Sequence, residues 1–243
     1  MRVAVLTDIH SNLPALEAVL EAIEKSDVER RWCLGDVVGY GAKPDDCAAL
    51  AAGQTELCLV GNHDLAVTGE IDTDVFSASA AAAVEWTREN CEQKTMDFLK
   101  GMKPEANEQE VGLYHASPRD PIWEYVLAVD QARECMQEQS GRISLIGHSH
   151  VALYFSDRDD DPAASGQAPD GHELDLGEGR WLLNPGSVGQ PRDGDPRAAW
   201  LELDTDEWKA TYHRVEYDID SAADAIREAG LPDLLADRLY MGQ

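Results

Sequence analysis

The sequence has no apolar run of the roughly 18 to 20 residues that a membrane span needs. Its first residues, Met1-Arg2-Val3, lead straight into a strand-like segment and leave no room for a signal peptide. Cysteine is scarce as well: five cysteines are scattered without a Cys-x-x-Cys pair, which argues against a disulfide framework. We therefore expect a cytoplasmic protein with reduced cysteines and no membrane partner.

Lysine is rare in this chain. Lysine accounts for only six of the 20 basic residues, which stand against 47 acidic residues and give a formal charge of -27. Long nucleic acid is not an expected partner, because its binding depends on basic side chains that neutralise phosphates. Salt screens charge over about 8 Å at physiological ionic strength, so a small phosphate compound can still reach a locally positive pocket.

The length of 243 residues is large for one domain, but α/β sandwiches of this size are commonly one unit. No linker-like segment and no internal repeat interrupts the chain, and apolar residues make up 43% of it, enough for a sizeable core. We therefore predict a single domain over residues 1–243. A homo-oligomer is compatible with this composition.

Short apolar runs alternate with segments of helical spacing, a pattern typical of α/β folds. Val151 to Phe155 is predicted to pair as a hairpin with the strand before Gly147, and residues 157–171, which are acidic and rich in Ala, Gly and Pro, to form a solvated loop. The predicted strands cover residues 2–7, 32–34, 57–60, 143–146, 198–203 and 211–215. The predicted helices cover residues 13–23, 45–52, 130–139 and 219–238, and residues 75–102 are predicted to form one or two helices.

Two apolar runs are followed by pairs of metal-ligand side chains. The first run is followed by Asp8 and His10, and the run before Gly147 by His148 and His150. In an extended segment, residues two apart point to the same side, so each pair is expected to aim at one place.

Further polar groups follow other predicted strands, at the edge where open α/β sheets build sites. Together the groups supply oxygen and imidazole nitrogen but no thiolate, which suits Mn, Fe, Zn or Ni. Seven groups exceed the need of one ion and suit two ions that share a ligand. The candidate ligands are Asp8, His10, Asp36, Asn62, His115, His148 and His150.

The order Asp-x-His, Gly-Asp, Gly-Asn-His-Asp, His and Gly-His-Ser-His resembles the calcineurin-like metallophosphoesterase superfamily, especially its compact prokaryotic phosphodiesterase-like members. The resemblance spans residue 1 to about residue 203. It implies a four-layer α/β/β/α sandwich of two mixed β-sheets flanked by helices. By this resemblance, Asp8, His10 and His150 would hold a first metal, Asn62, His115 and His148 a second, and Asp36 would bridge the two.

The resemblance also implies hydrolysis of a phosphate ester. Two dications, with Mn²⁺ expected first and Fe, Zn or Ni as alternatives, would provide hydroxide near pH 7 and neutralise phosphoryl oxygens. His63 would be the general acid or would orient the phosphate at the leaving-group side, and Asp64 would fix its tautomer. Asn62 would also face the substrate. Either Arg192 or Asn184, in a turn-rich segment, is expected on the pocket rim.

A small-molecule phosphodiester is the favoured substrate, because the chain is short for the protein phosphatase branch. The enzymatic alternatives are a protein Ser/Thr phosphatase and a dinucleoside polyphosphate hydrolase. A non-catalytic interaction scaffold is a further alternative, against which the complete ligand set argues, and a metal-storage protein would give His63 no role. The pocket walls are expected from loops near Tyr40, residues 117–120 and residues 184–192.

Overall fold

The structure is a computed structural model that describes residues 1–158 and 164–243. None of the helices in these two ranges combines the length and apolarity needed to cross a membrane. The helices are α1 (Leu13–Glu24), α2 (Pro44–Gln54), α3 (Asn62–Thr68), α4 (Ala78–Asn90), α5 (Gln93–Gly101), α6 (Val129–Glu138), α7 (Ile219–Glu228) and α8 (Asp233–Asp237), followed by a 3-10 helix (Arg238–Tyr240). The strands are β1 (Arg2–Leu6), β2 (Arg30–Cys33), β3 (Leu57–Cys58), β4 (Glu105–Glu108), β5 (Val111–Tyr114), β6 (Ile143–Leu145), β7 (Ala152–Ser156), β8 (Gly166–Gln167), β9 (Glu173–Asp175), β10 (Trp181–Pro185), β11 (Ala198–Asp204) and β12 (Lys209–Val215).

The first sheet has the strand order β3-β2-β1-β11-β12-β9. Strands β1, β2 and β3 run parallel, whereas β11 pairs antiparallel with β1. Strand β1 is apolar on both faces because both are covered: Val3 and Val5 pack between the two sheets, and Ala4 and Leu6 pack under the helices. Burial on both faces thus explains why this strand is a continuous apolar run in the sequence.

The second sheet has the order β4-β5-β6-β10-β7-β8. The prediction that residues 151–155 pair with the strand before Gly147 is wrong, since β10 lies between β6 and β7 and pairs with both. Strand β10 is buried along its whole length, so each edge needs a hydrogen-bonding partner. Strands β6 and β7, which are consecutive in the chain, therefore lie on opposite edges of β10.

The two sheets face each other across an apolar core that includes Trp32, Leu113 and Leu203. Helices α1 to α5 cover the outer face of the first sheet, and α6 covers the outer face of the second with Ala132 and Met136. The predicted α/β/β/α sandwich of two mixed sheets is therefore confirmed.

Helix α1 begins where the sequence predicts it. The Asn12 side chain accepts a hydrogen bond from the Ala15 amide at 3.2 Å, and Pro14 lies in the first turn, where no amide hydrogen is needed. The Asn12 side-chain amide also donates to the Gly189 carbonyl at 2.8 Å. The cap thereby connects α1 to the segment that precedes Arg192.

Two further predicted elements differ from the structure. The solvated loop at residues 157–171 is wrong at its later end, because β8 pairs with β7, and Ala164 and Ala168 are buried; residues 159–163 lie outside the described part of the chain. The C-terminal helical segment is two helices, since Gly230 adopts a φ of 72° and ends α7.

Replacing Leu203 by alanine tests the core between the sheets. Leu203 is fully buried on β11, so Leu203→Ala should lower the free energy of unfolding by about 2 to 5 kcal/mol in urea titrations. The control Leu234→Ala, at a leucine that is 60% exposed, should change the free energy of unfolding by less than about 0.5 kcal/mol. Equal effects of the two substitutions would contradict the packing described here.

Candidate metal centre

The candidate ligands lie in loops that follow the carboxyl ends of strands from both sheets. The first sheet supplies groups after β1, β2 and β3, and the second supplies groups after β5 and β6. Because these strands are parallel within each sheet, their ends meet at one edge of the sandwich. All seven predicted ligands are buried there: Asp8, His10, Asp36, Asn62, His115, His148 and His150.

The ligand atoms form two clusters that share one carboxylate. In each cluster, the ligand atoms of the histidines and carboxylates lie within 4.8 Å of one another. Asn62 joins the second cluster, with its Oδ1 at 3.1 Å from the Nε2 of His115. The first cluster contains Asp8, His10, Asp36 and His150, and the second contains Asp36, His115 and His148.

Asp36 connects the two clusters. Its Oδ2 lies 3.5 Å from the Nε2 of His10 and 3.5 Å from the Nε2 of His115. Its other oxygen, Oδ1, accepts a hydrogen bond from the His63 amide at 2.9 Å. A Cβ at Gly61 would lie 2.1 Å from Oδ1, so only glycine leaves room for the carboxylate here. The backbone thus aims Oδ2 at both clusters.

Three histidines are oriented by backbone carbonyl groups. A carbonyl oxygen only accepts, so the Nδ1 atom beside it carries the proton and Nε2 keeps its lone pair. The contacts are His10 Nδ1 to Val38 O at 3.1 Å, His115 Nδ1 to Leu34 O at 3.0 Å and His150 Nδ1 to Gln190 O at 2.7 Å. The Nε2 atoms of His10 and His150 are then 3.0 Å apart with both lone pairs facing each other. A cation can accept both lone pairs at once.

Several acceptor atoms at the centre of the site have no donor. Asp8 Oδ1, Asp36 Oδ2 and His148 Nε2 are buried without a hydrogen-bond partner. Leaving such groups unsatisfied costs about 1 to 3 kcal/mol each, and more when the group is charged. Inward-facing carboxylate oxygens and imidazole nitrogens are the donor set that divalent transition metals bind. These residues therefore fit divalent cations.

The electrostatics of the site also fit divalent cations. Burial raises the pKa of Asp36 well above its usual value, and the nearby Asp64 and Asp8 carboxylates add to the rise. Burial lowers the pKa of His115 to about 3 and that of His148 to about 4. The imidazoles are therefore neutral near pH 7 and able to ligate, whereas the charged form of the buried carboxyl groups is favoured only with a cation nearby.

The backbone at the ligands differs from the expected extended conformation. His148 and His150 have φ values of 63° and 60°, in the left-handed region that non-glycine residues seldom adopt. They consequently point into different clusters, although the i, i+2 spacing of a strand predicted a single target. Asp8, His10 and Asp36 have positive φ as well. Such strain is typical of functional sites and needs firm support from the surrounding fold.

His63 lies beside Asn62 in the first turn of α3. Its ring centroid is 4.8 Å from that of His10 and 4.9 Å from that of Phe76. A Cβ at Gly39 would lie 2.5 Å from the His63 Nδ1, so the ring packs tightly against that glycine. Burial lowers the pKa of His63 well below its usual value, which keeps the ring neutral near pH 7.

Asp64 is not placed as the sequence analysis expected. Its Oδ1 accepts a hydrogen bond from the Val38 amide at 3.1 Å and its Oδ2 accepts one from the Gly61 amide at 3.0 Å. Consecutive helical residues do not face each other, and among the described side chains no hydrogen bond joins Asp64 to His63. Burial raises the pKa of Asp64 to about 6. Asp64 therefore connects α3 by a hydrogen bond to the loop that carries Asp36, and it does not fix the tautomer of His63.

Asn184 lies behind the site and not on its rim. It is fully buried, and its Nδ2 donates to the Gly147 carbonyl at 2.7 Å and to the Ser149 hydroxyl at 3.0 Å. It thus holds the loop that carries two of the candidate histidine ligands.

A cavity of about 410 Å³ opens beside the two clusters. The predicted walls at Tyr40 and Arg192 line it, whereas residues 117–120 do not, because the Ser117 hydroxyl and the Arg119 guanidinium bind Glu124. Four other wall residues with aromatic or charged side chains were not among the predicted site residues. The two aromatics in the turn-rich loop after His115 were detectable as apolar groups in a polar segment, but no local pattern marks the others. The missed residues are Phe76, Trp123, Tyr125 and Arg238.

Known proteins resemble this chain along its whole length. An uncharacterised protein of Methanocaldococcus jannaschii is 37% identical over 246 residues, which cover 99% of this chain and 98% of that protein. The crystal structure of a metallophosphoesterase from Sphaerobacter thermophilus matches with a TM-score of 0.90 and 38% identity, over 100% of this chain and 99% of the other. A hypothetical protein of Pyrococcus horikoshii OT3 shares the fold, with a TM-score of 0.81 at 20% identity over 100% and 98% of the two chains.

The family model of the calcineurin-like phosphoesterase superfamily domain matches residues 1–206. The resemblance inferred from the motif order is thereby confirmed. The chain belongs to the calcineurin-like phosphoesterase superfamily and is a phosphoric ester hydrolase.

Proposed function

We propose that this protein hydrolyses a small-molecule phosphodiester with the help of two divalent metal ions. Mn²⁺ is the expected metal, and Fe, Zn or Ni are the alternatives. The observation that carries the proposal is the shared carboxylate: Asp36 Oδ2 lies 3.5 Å from a histidine nitrogen of each cluster. Two separate groups of ligand atoms with one common member suit two cations that share a ligand.

Each cluster would hold one metal. Asp8, His10 and His150 would hold the first, Asn62, His115 and His148 the second, and Asp36 would bridge them. When bound, two such cations lower the pKa of water and neutralise the charge that develops on phosphoryl oxygens. The backbone carbonyl groups beside three of the histidines keep the ligating nitrogens aimed inward, and the buried surroundings exclude bulk water from them.

His63 would act at the leaving group. Its imidazole lines the cavity beside Asn62, and a bound anionic substrate would raise its pKa, so its ring can donate a hydrogen bond or a proton to the oxygen of the departing alcohol. Packing against Tyr40, with ring centroids 4.4 Å apart, fixes the plane of the ring. Asn62 would contribute to substrate binding from the same wall, and Arg192 would attract the anionic substrate.

The size and charge of the cavity favour a small anionic substrate. A cavity of about 410 Å³ falls within the range of small-molecule pockets, about 300 to 1,000 Å³. Only two carboxylates of the candidate ligand set oppose the charge of two dications, so the pocket attracts anions. The formal charge of -27 would repel long polyanions from the exterior. The cysteines, none of which forms a disulfide in the described structure, suit a cytoplasmic location.

A substrate screen tests the proposed function. With Mn²⁺ loaded and metal content measured in parallel, bis(4-nitrophenyl) phosphate should be hydrolysed with a kcat/KM at least about tenfold above that of 4-nitrophenyl phosphate, a difference of about 1.4 kcal/mol in activation free energy. Phosphopeptides and dinucleoside polyphosphates serve as the comparison substrates. Faster hydrolysis of either class would make that class, and not a phosphodiester, the proposed substrate. No turnover of any ester would favour the alternative of a non-catalytic interaction scaffold.

Metal stoichiometry tests the two clusters. Mass spectrometry should find two Mn²⁺ per chain in the unmodified protein and one in His115→Ala, which removes a ligand from the second cluster only. Asp36→Asn should lose metal and lower turnover by about 100-fold or more, equivalent to about 2.7 kcal/mol. The control Asp224→Asn, at a side chain that is 70% exposed, should retain both metals and full turnover. Full metal content with a near-normal rate in Asp36→Asn would remove Asp36 from the bridging position.

His63→Asn tests the group at the leaving-group side. Metal content should stay at two ions per chain, while turnover falls by about 100-fold or more on esters with poor leaving groups, as expected on loss of general acid catalysis. The loss should be smallest on 4-nitrophenyl esters, whose leaving group needs no proton. His213→Asn, at a histidine stacked on Trp200 outside the cavity, is the matched control. The same loss on every ester would assign His63 to positioning and not to proton transfer.

A further inference from the structure

Two arginines, Arg192 and Arg238, line the cavity beside the candidate metal ligands; we call them the arginine pair. Arginines close by in sequence form ion pairs, as Arg197 does with Asp195 at 2.7 Å. Among the described residues, neither arginine of the pair has an aspartate or glutamate carboxylate at ion-pair distance, although the chain contains 47 acidic residues. The Asp8 carboxylate attracts Arg192 from a distance, but in this part of the chain no aspartate or glutamate pairs directly with either guanidinium.

Arg192 is held in place by neutral groups. Its Nη2 donates to the Tyr40 hydroxyl at 3.2 Å and to the Gln190 Oε1 at 2.9 Å, and its guanidinium carbon lies 5.6 Å from the centre of the Tyr40 ring. Its Nε is buried and has no hydrogen-bond partner. The side chain is thus fixed in position while the charge of its guanidinium group acts on a ligand in the cavity that it lines.

Arg238 comes from the 3-10 helix at the end of the described chain, after the last residue of the family match. Its neighbour Leu239 is buried in the cluster formed by α7, α8 and α4. The Nε of Arg238 donates to the Gln243 carbonyl, and the Gly194 amide donates to the Gly242 carbonyl at 3.0 Å. The hydrogen bond between Gly194 and Gly242 docks the C-terminal segment on the loop that follows Arg192.

The two guanidinium groups affect each other. Burial and the charge of Arg192 lower the pKa of Arg238, so bringing both cations to one cavity has an electrostatic cost. An anion in the cavity removes this cost. The scissile group of a phosphodiester carries a single negative charge, and in the proposed function the metal ligands hold the ions that bind it. The charge of the arginine pair then remains for another group of the substrate.

Resting on the proposed function, we propose that Arg192 and Arg238 form a subsite for a second anionic group of the substrate. The preferred substrate is then a phosphodiester that carries an additional phosphate or carboxylate. Guanidinium groups bind both anions in the same planar, hydrogen-bonded manner.

A matched series of chromogenic esters tests the subsite. The parent is 4-nitrophenyl phenyl phosphate, and two derivatives carry a carboxylate or a phosphate on the phenyl ring. The Mn²⁺-loaded protein should show a kcat/KM at least about tenfold higher for a derivative than for the parent, as expected for hydrogen bonds between charged groups. The better of the two derivatives identifies the second anion.

Arg238→Gln should remove most of this preference, with a loss on the charged derivatives about tenfold greater than its loss on the parent. Arg227→Gln, at an exposed arginine that pairs with Asp237 outside the cavity, should retain the preference. No preference in the unmodified protein, or an equal loss on all three esters in Arg238→Gln, would overturn the subsite. An equal loss would instead assign the arginine pair to the scissile phosphate.

Calorimetry separates this proposal from the proposed function. Binding of 4-carboxyphenyl phosphate should be about tenfold tighter than binding of phenyl phosphate, both with Mn²⁺ and after chelation, because the arginine pair belongs to the chain itself. If no ester is hydrolysed, the proposed function fails, and the calorimetric ratio alone decides the subsite. Equal affinities for the two compounds would overturn it.

Discussion

The site depends on a repulsion that the protein cannot relieve with its own groups. The Nε2 lone pairs of His10 and His150 face each other at 3.0 Å, and the Asp36 Oδ2 lies buried beside them without a donor. Water at this position would satisfy only part of the demand, because several acceptors converge and none of them carries a hydrogen. A cation satisfies all of them at once. Metal binding is thus the condition under which the geometry of the site has a low energy.

The rest of the fold maintains this arrangement against its tendency to relax. Left-handed residues such as Asp8 and His148 cost about 1 to 3 kcal/mol each, so the loops would rearrange if they were free. They are not free, because the Asp8 Oδ2 accepts the His148 amide at 3.0 Å, and a Cβ at Gly147 would lie 2.1 Å from the Thr7 hydroxyl. Rigid sheets on both sides therefore supply the free energy that keeps the ligands preorganised.

The sequence was sufficient to predict the sandwich, through the family resemblance, and the residues that cluster at the candidate site. Apolar runs marked the buried strands, and polar groups at their ends indicated the edge of the sheets at which a site would form. It was not sufficient for the backbone at His148 and His150, because the positive φ values arise from tertiary contacts and not from local preference. The position of β10 between β6 and β7 and the wall residue Arg238 are also products of long-range packing. No local pattern in the sequence predicts either of them.

The charge distribution also separates the exterior from the cavity. An acidic surface lowers the local concentration of anions, so any anion that binds must gain more in the pocket than it loses in approaching. The guanidinium group of Arg192, which lines the cavity and is hydrogen-bonded to the Tyr40 hydroxyl, supplies such a gain to an anion that enters the cavity. Salt screens the exterior more strongly than the buried site, because the effect of ions falls off where water is excluded. The protein therefore discriminates between ligands by their charge mainly inside the cavity, where the shape of the ligand also affects binding.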